Sequence, residues 1–75
     1  MSEPLEVDAR GHRCPVPTLR LRRALEAAEP GTVVRLLADD PMAKLDVPHF
    51  ASQAKHELVS VEPLERGWAF QVRKA

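Results

Sequence analysis

A single cysteine, no tyrosine, two phenylalanines and one tryptophan leave this 75-residue chain poor in the residues that staple small proteins. One thiol closes no internal disulfide, which excludes the cysteine-rich frameworks on which small secreted domains depend. Net charge is zero, with 11 basic residues against 11 acidic ones, so no whole-molecule field draws the chain to nucleic acid. The few aromatics do not interleave with the arginines, so the stacking platform of an RNA binder is missing. No apolar run approaches the ~20 residues of a membrane span, and MSEPLEVDA has no apolar signal core. The chain reads as cytoplasmic.

What is present points to one globular domain over residues 1–75, with 44% apolar and 29% charged residues. A chain this short buries only about 60–65% of its unfolded surface, so any chemistry is expected on the outside. Leu5, Val7 and Ala9 alternate with Glu6 and Asp8, a period of two that predicts a short strand. From Pro15 to about Ala28 the period becomes helical. Leu21, Ala24, Leu25 and Ala28 fall on one face and Arg20, Arg22, Arg23, Glu26 and Glu29 on the other, with Leu19 stranded on the polar side. Glu29-Pro30-Gly31 stops that helix.

TVVRLLA, Thr32 to Ala38, reads as a central strand, and Asp39-Asp40-Pro41 as a solvated turn. A second helix is expected from Asp46 or Val47 to His56, with Asp46 as N-cap and Pro48 in the first turn. Its buried stripe would be Val47, Phe50, Ala51 and Ala54. Glu57–Glu62 and Trp68–Arg73 read as strands joined around Leu64-Glu65-Arg66-Gly67, with Trp68, Phe70 and Val72 on one face. The order βαβαββ predicts an α+β fold: a two-layer sandwich of a four-stranded mixed sheet with both helices on one face. The opposite sheet face must be partly polar or covered.

The chemistry converges on RGHRCPVPT, residues 10–18. From Ala9 to Leu25 there are five arginines (Arg10, Arg13, Arg20, Arg22 and Arg23) and no acid. Cys14 falls at the expected N-cap of the first helix, with Pro15 at its first position. Pro17 removes the N–H at the third position, leaving the Val16 N–H to point at the sulfur. A thiol of ordinary pKa about 8.5 is mostly protonated at pH 7, but the helix dipole and nearby guanidinium groups would bring it to about 7. The expectation is an exposed nucleophilic thiolate; the alternative is a small buried hydrophobe, as free cysteines are in many cores.

DARGHRCPVP, Asp8 to Pro17, resembles the signature of the TusA or SirA-like sulfur-carrier family, a Cys-Pro-x-Pro motif after a first strand. ADDPMAKLDVPHF, Ala38 to Phe50, resembles that family's second stretch, an Asp-Pro turn followed by Asp-Ile-Pro. His56-Glu57-Leu58 resembles its exit from helix to strand, so the likeness spans essentially the whole chain. It implies the same βαβαββ fold and a sulfurtransferase-type relay without cofactor or metal. Sulfane sulfur would pass from a cysteine desulfurase or rhodanese-like donor to Cys14 as a persulfide, and on to an acceptor protein. Acceptor routes in such families include tRNA thiolation, molybdenum-cofactor assembly, sulfur oxidation and thiosulfate uptake, none requiring direct nucleic-acid contact by the carrier. In this reading Pro15 and Pro17 shape the turn, and Arg13 and Arg23 supply charge. Arg10, Leu19 and Arg20 meet partners. Arg23 stands where the family commonly has lysine, and Val47 where it has isoleucine.

His12 lies two residues from Cys14 as a possible base but reads better as a loop residue. Cys14, His12, His49 and His56 come from three segments without a close-spaced ligand pair, which argues against a metal site. Trp68 reads as core. Two further functions stay open on the sequence: a non-catalytic adaptor using the same surface, and a redox sensor forming a Cys14-linked dimer.

Overall fold

The computed structural model describes residues 5–75. The elements are β1 (Leu5–Asp8), α1 (Val16–Ala27), β2 (Val33–Ala38), α2 (Ala43–Gln53), β3 (Glu57–Pro63) and β4 (Trp68–Arg73), the expected βαβαββ order. The sheet is mixed and four-stranded, in the order β1-β2-β4-β3. β1 and β2 are parallel, while β4 runs antiparallel to both β2 and β3. β1, β2 and β3 therefore point the same way, and the loops after β1 and β2 leave side by side from one end of the sheet. Both helices begin at that end, pack against each other and cover one sheet face.

The core lies between the layers. Val34, Leu36 and Ala38 of β2 and Phe70 and Val72 of β4 meet Leu21 and Leu25 of α1 and Ala43, Val47 and Ala51 of α2. Each large apolar side chain removed from water contributes about 1.5–3 kcal/mol. The open sheet face is polar, as required. Arg35 in the middle of β2 reaches Glu6 on β1 at 2.8 Å and Glu62 on β3 at 3.4 Å. Arg73 pairs with Glu57 at 2.7 Å. These largely exposed pairs contribute little stability but place charge across the middle of that face. Trp68 is half-buried and packs against this core, as expected, with the Lys44 ammonium 5.2 Å above its ring.

Both helix starts differ from the expectation. Pro15, not Cys14, is the N-cap of α1, and Pro17 takes the second helical position, fully buried. The Val16 N–H donates to Arg13 O at 2.9 Å and so is not free to point at the sulfur. The helix opens at Val16 because that N–H closes a turn of its own before the first i→i−4 bond, Leu19 N–H to Pro15 O at 2.9 Å. The second helix starts three or four residues early, at Ala43. Asp40 starts it: its side chain accepts the Met42 N–H at 3.0 Å and its carbonyl the Ala43 N–H at 2.9 Å. Asp46 therefore sits inside the first turn rather than at the cap, and Pro48 lies within the helix.

The exit of α2 also comes early. Lys55 takes a left-handed φ of 64°, with its N–H on Ser52 O and the His56 N–H on Ala51 O. Those paired bonds are the Schellman arrangement, which commonly places glycine where Lys55 stands. Ala54, expected in the buried stripe, is exposed in that turn.

Candidate functional site

Cys14 sits in the loop between β1 and α1, half-buried, at the edge of an open depression of about 550 Å³. Gly11, His12 and Arg13 line it from the β1 loop, and Asp39, Asp40, Pro41 and Met42 from the β2 loop. The parallel pairing of β1 with β2 brings these two loops together. The two aspartates fasten them. Both Asp39 carboxylate oxygens accept the Gly11 N–H, at 3.0 and 3.1 Å. Asp40 Oδ2 accepts the Cys14 N–H at 2.7 Å. Asp40 holds the start of α2 with its other oxygen, so one carboxylate fixes both the cysteine loop and a helix terminus. The Cys14–Pro15 peptide is cis.

The electrostatics run opposite to the expectation. Burial above all pushes the Cys14 thiol above its ordinary value; Thr18 works against the rise, and the Asp46 and Asp40 carboxylates add to it. The leading influences on the sulfur are burial, Thr18 and the two aspartates rather than the arginines. Their charge goes elsewhere. Arg10 closes a two-point pair on Asp8, at 3.0 and 2.8 Å, and holds that carboxyl at about 2. Arg20 donates to the Asp8 carbonyl at 2.9 Å. Arg13 acts on Asp40, whose carboxyl is lowered mainly by the Met42 and Cys14 N–H donors. Arg23 is exposed on α1, lining a shallow groove with Val16, Leu19 and Arg20. The expected thiolate field is spent elsewhere: Arg10 and Arg20 bond Asp8, Arg13 acts on Asp40, and Arg23 is exposed.

Of the residues picked out in the sequence, the structure brings Cys14, Arg13, Pro15 and Pro17 together, while Arg10 and Arg20 belong to the β1 side. Leu19 is 53% exposed, beside Val16 on the same helix at 40%, and Met42 and Leu45 are exposed at 50% and 67%. Four residues at the site were missed. Asp39 and Asp40 were read as a solvated turn, Asp46 as a cap, and Thr18 not at all. The parallel order of the first two strands was the signal for the aspartates, because it places the 39–40 turn beside the cysteine loop. His12 lines the depression beside Cys14. Among the described residues no cluster of three His, Cys, Asp or Glu side chains has a metal-binding arrangement. No helix among them is long and apolar enough to cross a membrane.

The family described as sulfurtransferase TusA has a sequence model that matches residues 5–74, nearly the full described chain. The chain belongs to the TusA family. Two Archaeoglobus fulgidus relatives, each named "putative sulfur carrier protein", are similar to it. One is 44% identical over 62 residues, covering 83% of this chain and 80% of its own. The other is 40% identical over 68 residues, covering 91% and 93%. The crystal structure of the SirA-like protein from Desulfitobacterium hafniense superposes with a TM-score of 0.78 at 26% identity, covering 95% of this chain and 96% of that one. Family membership bears out the resemblance drawn from the sequence, and the βαβαββ order matches the SirA-like fold.

Proposed function

We propose that this chain is a sulfur carrier in which Cys14 holds sulfane sulfur as a persulfide. The Cys14 thiolate attacks the outer sulfur of a donor persulfide. A new S–S bond forms, the donor's S–S bond breaks, and the donor leaves as a thiolate. No net oxidant is consumed, because the sulfane sulfur moves at its own oxidation level. The donor is a cysteine desulfurase or rhodanese-like protein, and delivery reverses the roles when an acceptor's nucleophile takes the outer sulfur. The carrying observation is the position of the sole thiol of the chain, at the edge of an open depression whose loop is tied down by Asp39 and Asp40. The absence of a second cysteine means that no internal thiol discharges the persulfide as a disulfide.

The raised thiol pKa makes the thiolate scarce at neutral pH, and the greater nucleophilicity of the anion offsets that loss only in part. The family and the names of the relatives support the carrier role. Val16, Leu19, Met42 and Leu45 are exposed apolar side chains a partner would cover, with Arg13, Arg20 and Arg23 for acidic partner surfaces. Arg10 supports that edge through Asp8, and Pro15 and Pro17 hold the first turn. The work is assigned to the cytoplasm, where thiols stay reduced, and tRNA thiolation is one route such a carrier serves.

The test pairs transfer with binding. Wild type and Cys14→Ser are mixed with a cysteine desulfurase and L-cysteine, and sulfur uptake and complex formation are both measured. A carrier loses uptake in Cys14→Ser while the complex survives. An adaptor keeps both its function and the complex, which would contradict the reading. A redox sensor instead gives a Cys14-linked dimer under mild oxidation.

A further inference from the structure

Among the described residues, the ion pairs of this chain engage Arg10, Arg22, Arg35 and Arg73 with Asp8, Glu26, Glu6, Glu62 and Glu57. Arg13 joins none of them, and neither do Asp39 and Asp40. All three line the depression at whose edge Cys14 sits, Arg13 beside His12 on the β1 loop and the two aspartates on the β2 loop. Opposite charges therefore share one concavity without closing on each other. The carboxylates are fixed in place by the Gly11, Cys14 and Met42 N–H groups. Each of their oxygens takes one of those bonds and keeps a second acceptor position. The volume, about 550 Å³, is in the range of small-molecule sites.

The charges select among small ligands. A plain anion such as sulfite meets Arg13 and His12 but is repelled by two carboxylates. A plain amine meets Asp39 and Asp40 but leaves Arg13 without a partner. A zwitterion satisfies both sides. We infer that the depression takes a small zwitterionic aminothiol, its ammonium on Asp39 and Asp40 and its carboxylate on Arg13 and His12, and that this thiol exchanges sulfur with Cys14 directly. The transfer rests on the persulfide reading; the binding does not. The incoming thiol gives its proton to buffer, and its thiolate attacks the outer sulfur of the Cys14 persulfide. A new S–S bond forms on the aminothiol, the bond from Cys14 Sγ to the outer sulfur breaks, and Cys14 leaves as the thiolate. The sulfane sulfur keeps its oxidation level, so no oxidant or reductant enters, and the reverse step loads Cys14.

Binding and transfer are read separately. S-methyl-L-cysteine, which has both charges and no reactive thiol, is titrated into the isotope-labelled chain at low ionic strength. The Gly11, Cys14 and Met42 amides, which bond the two aspartates, should shift saturably. Its N-acetyl form lacks the ammonium and S-methylcysteamine lacks the carboxylate, and each should bind about threefold more weakly. Arg13→Gln should abolish the preference over S-methylcysteamine, and Asp39→Asn the preference over the N-acetyl form. Unresponsive amides, or equal titrations of the three ligands, overturn the site. For transfer, the chain is loaded with inorganic polysulfide and desalted, and its loss of sulfur to L-cysteine or N-acetyl-L-cysteine is followed by intact mass. A small-molecule persulfide treated with the same thiols gives the ratio of their intrinsic rates. L-cysteine should exceed that ratio by about threefold, and a ratio equal to the reference overturns the direct exchange. A chain that takes no sulfur on Cys14 counts against the carrier reading and the exchange together, and leaves the binding result standing.

Discussion

Asp40 Oδ2 accepts the Cys14 N–H at 2.7 Å, joining two residues 26 apart in sequence and placing a fixed negative charge beside the thiol. The same carboxylate accepts the Met42 N–H at 3.0 Å, so the cysteine loop and the start of α2 share one anchor. Anchoring and charge are separable by mutation. Asp40→Ala removes both and should lower Tm and speed hydrogen exchange at the Cys14 amide. Asp40→Asn keeps one acceptor and removes the charge, so the Cys14 alkylation midpoint should fall while the fold is largely retained. An unchanged Cys14 amide exchange rate in Asp40→Ala would show that the anchor does not hold the loop.

Thiol reactivity itself gives a second prediction. Burial, Asp46 and Asp40 together hold the Cys14 thiol above its ordinary range. Alkylation at pH 7 should therefore run slower than for a free cysteine peptide and climb steeply into alkaline pH. A midpoint near neutrality would restore the arginine-field expectation and contradict the geometry.

Asp8 carries the pH dependence at the acid end. Its carboxyl titrates at about 2 rather than at the model-peptide 3.8, chiefly because Arg10 bonds its side chain. A carboxyl lowered in the folded state stabilises the fold fully above pH 3.8. That contribution is lost as pH falls toward about 2. Asp8→Asn should flatten the decline of the urea midpoint in that window by lowering its value near neutrality, with little change below about pH 2. An undiminished decline would assign the acid lability to other carboxyls.

Gly67 makes the closest approach in the fold. At a φ of +86°, a Cβ there would strike Ala38 O and come within 2.7 Å of Asp39 Cα. The left-handed backbone alone costs a non-glycine residue about 1–3 kcal/mol, and the clash with backbone adds to it. Gly67→Ala should therefore destabilise the fold by at least about 2 kcal/mol and disturb the Asp39–Gly11 bonds, readable by chemical denaturation and by the amide shift of Gly11.

Lys55 offers the opposite sign. It occupies the left-handed position of the α2 terminus, where glycine carries no Cβ penalty. Lys55→Gly should raise stability by about 1 kcal/mol, with sulfur uptake unchanged because the residue lies at the far end of the helix. A loss of stability would show that the lysine side chain compensates for its backbone.

Much of this was legible in the sequence for a physical reason. The strand TVVRLLA and the alternation of Trp68, Phe70 and Val72 are patterns of burial, and burial decides elements. The motif around Cys14 placed the thiol at a helix start because prolines restrict where a helix opens. The charge balance at the thiol was not legible. Arg10, Arg13, Arg20 and Arg23 are near Cys14 in sequence, but Asp8, Asp40 and Asp46 are near them or near the sulfur in space. Only the pairing of β1 with β2 and the packing of α2 on α1 reveal this. The early start of α2 was missed for a related reason: Asp40 begins the helix from within a turn, while Asp46 has the same residue type at a more familiar spacing from Pro48.

The central claim is tested most directly by intact mass. The chain is incubated with a rhodanese and thiosulfate, desalted and weighed beside Cys14→Ser. The account predicts a gain of one sulfur, about 32 Da, that reductant reverses and Cys14→Ser lacks. No gain, with Cys14 still open to alkylation, would contradict the persulfide on Cys14 and leave the same surface as a binding site alone.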